Sequence, residues 1–253
     1  MRNNALLALF AVGLGAAVPA GASLAAGPPA NVAAAVADAG RPAADTARDA
    51  DRKPGEVMAF AGVKTGQKVG ELIPGGGYYT RLLSKAVGPT GKVYALWPEG
   101  LAKARPQLVE GSKAIGPNVV VATYAGASLG APEPLDMVWT SENYHDFHNA
   151  PPGAPPADIA AFNKSVFDAL KPGGVFLIED HAAAAGAPLT TTSTQHRIDP
   201  AAVKSEVTAA GFVLEAQSSA LANPADPHAT SVFDASIKGH TDKLLFRFRK
   251  PAH

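Results

Sequence analysis

The feature that most limits what this chain can become is a rhythm. From Gly66 onward, short apolar runs alternate with stretches of helical periodicity. "KVGELI", "GKVYALW", "NVVVATY", "LDMVWTS", "GGVFLIED" and "FVLEAQSS" read as six strands, and "DKLLFRFRK" as a closing one. "YYTRLLSKAVG" reads as a helix stopped by Gly88 and Pro89, and "ADIAAFNKSVFDALK" places Ile159, Phe162, Val166 and Leu170 on one helical face. In "DPAAVKSEVTAA", Asp199 is the expected N-cap and Gly211 the stop. Strands separated by helices in this way predict an α/β fold with a mostly parallel sheet and helices on both faces. "VFLI" and "VVV" are apolar throughout, as strands covered on both sides must be. "LLFRFRK" instead alternates apolar and basic residues, which predicts an edge strand with one face toward water.

A length of 253 residues allows one such domain plus a short extension. Acids and bases balance at 22 each, so no strong field draws in nucleic acid or an anionic membrane, and a small molecule is the expected partner. The first residues carry Arg2, an apolar stretch from Ala5 to Val18, then small residues around Ala20-Gly21-Ala22. This pattern predicts a signal peptide over 1–22, with cleavage possible to 26, and a periplasmic or secreted protein. The apolar stretch is shorter than the roughly 20 residues that span a bilayer, so no stable membrane insertion is expected after its removal. There is no cysteine, which excludes disulfides, thiolate nucleophiles and cysteine-bound metal.

Residues 27–52 read as a linker and N-terminal helical extension, with "NVAAAVADAG" either a short helix ending at Gly40 or part of a spacer. Arg41, Arg48, Asp49, Arg52 and Lys53 then mix both signs, as a solvated segment at the domain edge would; alternatively, Arg41 or Arg52 covers a ligand. The main domain is expected over 53–251. Nothing in the sequence sets the oligomeric state.

Within the domain, "ELIPGGGYYTRL" puts three glycines between the first strand and the next helix. In an open parallel sheet this is where ligands settle. Without Cβ atoms, Gly75, Gly76 and Gly77 let a ligand lie on bare backbone, and the amides opening the helix point toward a carboxylate or phosphate. Glu71, closing the strand, is placed to accept a hydrogen bond from an ammonium group. A purely structural turn is the competing reading.

The spacing Glu71-x-x-x-Gly75-x-Gly77, followed by "GKVYAL", "LDMVWTSENYHD" and "LKPGGVFLIEDH", resembles the class I methyltransferases that use S-adenosylmethionine. More narrowly, "RKPGEVMAFAGVKTGQKVGELIPGGGYYTRLL" with "NYHDFHN" and "HRID" is similar to exported bacterial proteins described as predicted methyltransferases. The resemblance implies a Rossmann-like, seven-stranded sheet whose last strand is antiparallel, and S-adenosylmethionine as cofactor. Glu71, Pro74, Gly75, Gly76 and Gly77 would hold its methionine end, with Asn143 a further contact. Two positions depart from the pattern: Ile73 stands where a first glycine is usual, and Trp97 where an acid grips the ribose hydroxyls. An indole has no acceptor for that task, so either Glu99 replaces the acid or Trp97 stacks on the adenine.

The ends of the fourth and fifth strands carry "SENYHDFHN" and "EDH", and "TQHRID" follows. A histidine near neutral pKa suits deprotonation of a methyl acceptor. His145 is the leading candidate, then His181, with Asp146 or Asp180 orienting a ring; the other reading is that these residues only cap loops. His145, His148, His181 and His196 with Asp180 also have the donor types of a zinc or iron site, although the resemblance implies no metal. No "GxxxxGK" loop is present, which disfavours a nucleoside triphosphatase. The expected function is S-adenosylmethionine-dependent methyl transfer to a small molecule in the periplasm. The alternatives are a non-catalytic ligand-binding or accessory protein on the same fold and a His/carboxylate metal-dependent enzyme.

Overall fold

The computed structural model describes residues 27–149 and 158–252; the expected signal peptide lies outside the described residues. Four helices come first: α1 (Ala30–Val36), α2 (Ala43–Thr46), α3 (Asp49–Arg52) and α4 (Pro54–Ala61). They are followed by β1 (Lys68–Leu72), α5 (Tyr78–Val87), β2 (Lys92–Pro98), α6 (Glu99–Ala104), α7 (Pro106–Lys113) and β3 (Val119–Tyr124). The second half runs β4 (Leu135–Ser141), a 3₁₀ turn at His145–His148, α8 (Ile159–Ala169), β5 (Leu170–His181), α9 (Thr191–Thr194), α10 (Pro200–Ala209), β6 (Val213–Gln217) and β7 (Lys243–Arg249).

The seven strands form one sheet in the order β3-β2-β1-β4-β5-β7-β6. β1 to β5 pair in parallel, and β7 runs antiparallel to both β5 and β6. Because strand side chains alternate, each strand feeds two cores. Val69, Ala95, Trp139 and Leu177 face one side, under α1, α4 and α5. Leu96, Val138, Ile178 and Phe248 face the other, under α8 and α10. Burial of each such side chain contributes roughly 1.5–3 kcal/mol, enough in sum to hold a domain without disulfides.

Local signals set several boundaries. Asp199 caps α10 through a 2.8 Å hydrogen bond from the Ala201 amide, with Pro200 at the first helical position, where no amide is needed. The N-terminal extension is packed rather than a spacer. Val32 and Ala35 of α1 are buried, and Asn31 Nδ2 donates to the carbonyls of Val63 and Ala86, both at 3.2 Å.

Two expectations are overturned: the all-apolar "VVV" run is not covered on both sides, because β3 ends the sheet and Val120 is exposed, and the last strand is not an edge. β7 is not an edge strand but lies between β5 and β6, and β6, with Val213 exposed, forms that edge. The basic residues of β7 are accommodated by partners and not by water alone: Arg247 Nε and Arg249 Nη2 bind Glu215 of β6, at 2.8 and 2.7 Å, and Arg247 also donates to the Phe60 carbonyl at the end of α4. Long aliphatic stems covered by neighbours allow an alternating pattern inside a sheet.

Candidate functional site

From β1 the sheet grows toward β2 and β3 on one side and toward β4 and β5 on the other. The crevice at this reversal, outside the carboxyl ends of the strands, is the ligand position in open α/β sheets. Glu71 and the glycine turn lie there. The turn is built tightly: the Ile73 amide donates to Leu96 O at 2.9 Å and the Gly77 amide to Pro74 O at 2.9 Å, while Arg81 Nη2 of α5 donates to Gly76 O at 2.8 Å. Ile73 sits at φ +49°, a left-handed conformation that strains a β-branched residue.

The glycines differ in what they do. At Gly77, φ is +81°, a conformation that other residues adopt only with strain, so the turn itself favours glycine there. Gly76 has an ordinary φ, and a Cβ there would meet nothing within 4 Å. The fold does not need glycine at 76; an incoming ligand lying on the backbone would.

Beside the turn is a cleft of about 180 Å³, lined by Arg48, Arg52, Glu71, Ile73, Gly76 and Asn143 among others. Glu71 is 4% exposed and its Oε2 has no hydrogen-bond partner. Burial pushes its carboxyl up to about 8, against smaller opposing effects of Thr80 and Arg81. Tyr79, another lining residue, also has an unpartnered Oη. Pro74 and Gly75 complete the turn, and Asn143 Nδ2 donates to Ser141 O at 2.5 Å and Ile73 O at 3.4 Å. A larger groove of about 660 Å³ runs along α5 past Lys85 to Lys92 and Asn118, at the amino ends of β2 and β3, away from the crevice.

The two residues expected on the ribose side go elsewhere. Trp97 is fully buried in the core beneath α5, its indole nitrogen unpartnered, and is not part of the cleft lining. Glu99 opens α6, half exposed, with its carboxylate 3.9 Å from Lys103 Nζ.

The extension closes over the cleft. Arg52 pairs with Glu142 at the end of β4, and the guanidinium groups of Arg48 and Arg52 stand 4.8 and 4.9 Å from the Tyr78 ring. Burial alone would raise Glu142, but Lys243, at 2.8 Å, and Arg52 override it and hold the carboxyl at about 2. Arg41, the other residue expected to cover a ligand, is buried against Asp49, at 2.6 Å, outside the cleft lining.

Around the corner from Asn143, the histidine rim takes shape. Asp180, fully buried at the end of β5, accepts from the His145 amide at 2.7 Å and from its ring Nδ1 at 2.8 Å. Burial works against the charged imidazole, but Asp180 prevails and raises the His145 pKa. His145 Nε2 lies 3.2 Å from His196 Nδ1 and 3.4 Å from Asp146 Oδ1. The His181 ring is 6.2 Å from that of His145 and its Nδ1 is 2.7 Å from Thr241 Oγ1; burial pushes its pKa down to about 4, so it is neutral at pH 7. His148 is not in this group, because its Nε2 binds Glu206 at 3.0 Å.

His196 reaches the rim because its segment is pinned. Ala182 and Ile198 form a parallel bridge, and His196 itself is held at φ +55°. Arg197, fully buried, makes a two-pronged ion pair with Asp226 at 2.8 and 3.1 Å and donates to the carbonyls of Ala182 and Thr230. The anchor Asp226 was not singled out from sequence; its only signal is an acid among turn residues in "NPADPH".

No known family model matches the chain, and no curated protein matches it by sequence. Solved structures do. A S-adenosylmethionine-dependent methyltransferase from Mesorhizobium loti, 15% identical, matches with a TM-score of 0.57 over 80% of this chain and 99% of that one. A SAM-dependent methyltransferase from Aquifex aeolicus, 19% identical, matches with a TM-score of 0.53 over 77% and 88%. The chain therefore has the Rossmann-like fold of S-adenosylmethionine-dependent methyltransferases.

Proposed function

We propose that this protein binds S-adenosylmethionine at the Glu71–Gly77 turn and transfers its methyl group to a small-molecule acceptor at the His145 rim. The observation that carries this reading is the unpartnered Oε2 of Glu71, buried at the crevice where the fold places ligands. A buried carboxyl oxygen without a partner is costly unless a donor arrives to use it. The cofactor's amino-acid end is such a group, and Gly76 keeps the adjoining backbone bare for it.

Bound there by Glu71 and the glycine turn, the cofactor would supply an electrophilic methyl on a sulfonium. The chain's own residues position the two partners. Asp180 holds the His145 ring, leaving Nε2 toward the rim as proton acceptor or ligand. The segment carrying Arg48 and Arg52 borders this cleft of about 180 Å³ and would lie against a bound ligand.

Calorimetry on the purified protein with S-adenosylmethionine and S-adenosylhomocysteine tests the reading. Heat with either supports it, and no heat with both removes it. A second reading, a non-catalytic binding protein, is favoured by one observation: Trp97 is committed to the core where an acid would grip the ribose. Product formation from labelled cofactor and a panel of small acceptors separates the two. The composition of residues 1–22 supports a site of action outside the cytoplasm. Recovery of an uncleaved chain from the cytoplasmic fraction alone would count against that.

A further inference from the structure

Three side-chain atoms converge at the rim: His145 Nε2, His196 Nδ1 and Asp146 Oδ1. Their separations are 3.2, 3.4 and 3.7 Å. Three points spaced in this way share a centre about 2.0 Å from each, which is the bond length of nitrogen and carboxylate ligands to zinc. We propose that these residues form a three-ligand site for a divalent transition ion of the zinc class, with its remaining position open.

Four features support a built site over an accidental hydrogen-bonded pair. The donor set, two imidazoles and a carboxylate, is the one expected for zinc-class ions with an open catalytic position. The buried Asp180 carboxylate accepts a hydrogen bond from Nδ1–H of His145, which fixes the tautomer with the Nε2 lone pair available to ligate; this carboxylate–histidine arrangement is the usual outer support of a metal ligand. His196 is presented by strained backbone and anchored through Arg197, as if its placement mattered more than its comfort. Finally, His145 is buried while His196 and Asp146 are about one-third and two-fifths exposed, so the open position faces the solvent side. The other histidines singled out in the sequence are engaged elsewhere, His148 with Glu206 and His181 with Thr241.

The ion site stands on this geometry alone. Its use rests on the methyl-transfer reading: an ion here would bind an oxygen of the acceptor and lower its pKa, with His145 as ligand and not as base.

Metal-stripped protein titrated with Zn²⁺, and with Co²⁺ as an optical probe, tests the site. The expected result is one equivalent bound, with the intense visible absorption of low-coordinate cobalt. His196→Ala and Asp146→Ala, both at partly exposed positions, should each weaken binding about a hundredfold or more. Asp180→Asn should weaken it about 10- to 100-fold. His228→Ala, at a histidine paired with Asp242, should leave it unchanged. Circular dichroism of the metal-free variants establishes that each is folded. Absence of binding, or binding indifferent to His196→Ala and Asp146→Ala, overturns the proposal. Cofactor calorimetry on the same stripped protein keeps the two questions apart: zinc without cofactor retains the ion site and removes the transferase, and the reverse removes the ion site only.

Discussion

Arg52 and Glu142, 90 positions apart, form an ion pair that ties α3 to the end of β4 across the glycine turn. Both are largely withdrawn from water, and Glu142 keeps Lys243 as a second partner. Arg52→Ala is therefore expected to cost about 1–3 kcal/mol and not the full penalty of an orphaned buried charge. Loosening of the cover should speed tryptic cleavage after Arg48. An unchanged cleavage rate would mean that the pair does not hold the segment down.

Glu71 gives the protein a signed pH dependence. Its folded pKa, about 8, lies above the ordinary 4.5, so the neutral carboxyl is the form the fold prefers. That contribution is complete below about 4.5 and is lost as pH rises through 8, with a ceiling of about 5 kcal/mol at 1.4 kcal/mol per pH unit. Denaturant titrations from pH 5 to 9 should show stability falling, and Glu71→Gln should flatten the slope. Cofactor binding at pH 7 should also release close to one proton, visible as a dependence of calorimetric heat on buffer ionisation enthalpy, and Glu71→Gln should abolish it.

The neighbouring glycines should separate stability from binding. Gly77→Ala meets a positive φ and should destabilise by about 1–2 kcal/mol. Gly76→Ala should leave stability within about 0.5 kcal/mol yet weaken cofactor binding. A Gly76→Ala protein that binds as tightly as wild type would show that the open space is unused.

Trp97 and Glu99 make a parallel contrast. Trp97→Ala removes a fully buried indole and should cost about 3–5 kcal/mol. Glu99→Ala alters an exposed helix end and should change stability by less than about 0.5 kcal/mol. If Glu99 holds the ribose, its loss should weaken cofactor binding tenfold or more, equivalent to about 1.5–3 kcal/mol for a charge-assisted hydrogen bond.

Arg197 and Asp226 are both fully enclosed, so removal of one strands the other. Arg197→Met should cost about 3–5 kcal/mol in thermal or denaturant unfolding, and adding Asp226→Leu should recover much of it. A harmless single substitution would mean that water reaches the pair.

Much of this architecture is written in local chemistry. The apolar strand runs, the Asp199-Pro200 cap and the glycine turn are short-range signals, and each falls where the structure has the corresponding element. β7 misled because alternation reports how polar a face is, not what covers it; Glu215 and Phe60 O replace water for Arg247. Likewise, the sequence offers four histidines near the strand ends but no measure of which converge. That depends on long-range pins, the Ala182–Ile198 bridge and the Arg197–Asp226 pair, which leave no pattern in consecutive residues. Trp97 was legible as a departure, yet whether it turned to ligand or core depended on strand register and the helix above it.

The interior seat of β7 has a consequence for how the chain matures. Among the described residues β6 has no other neighbour in the sheet, so until Lys243–Arg249 have been translated it has no described strand to zip onto, and β5 presents an open flank. Ribosome-bound chains stalled before this strand should be held in an incomplete, chaperone-accessible state, and consolidation of that half of the molecule would be among the last events of its biogenesis.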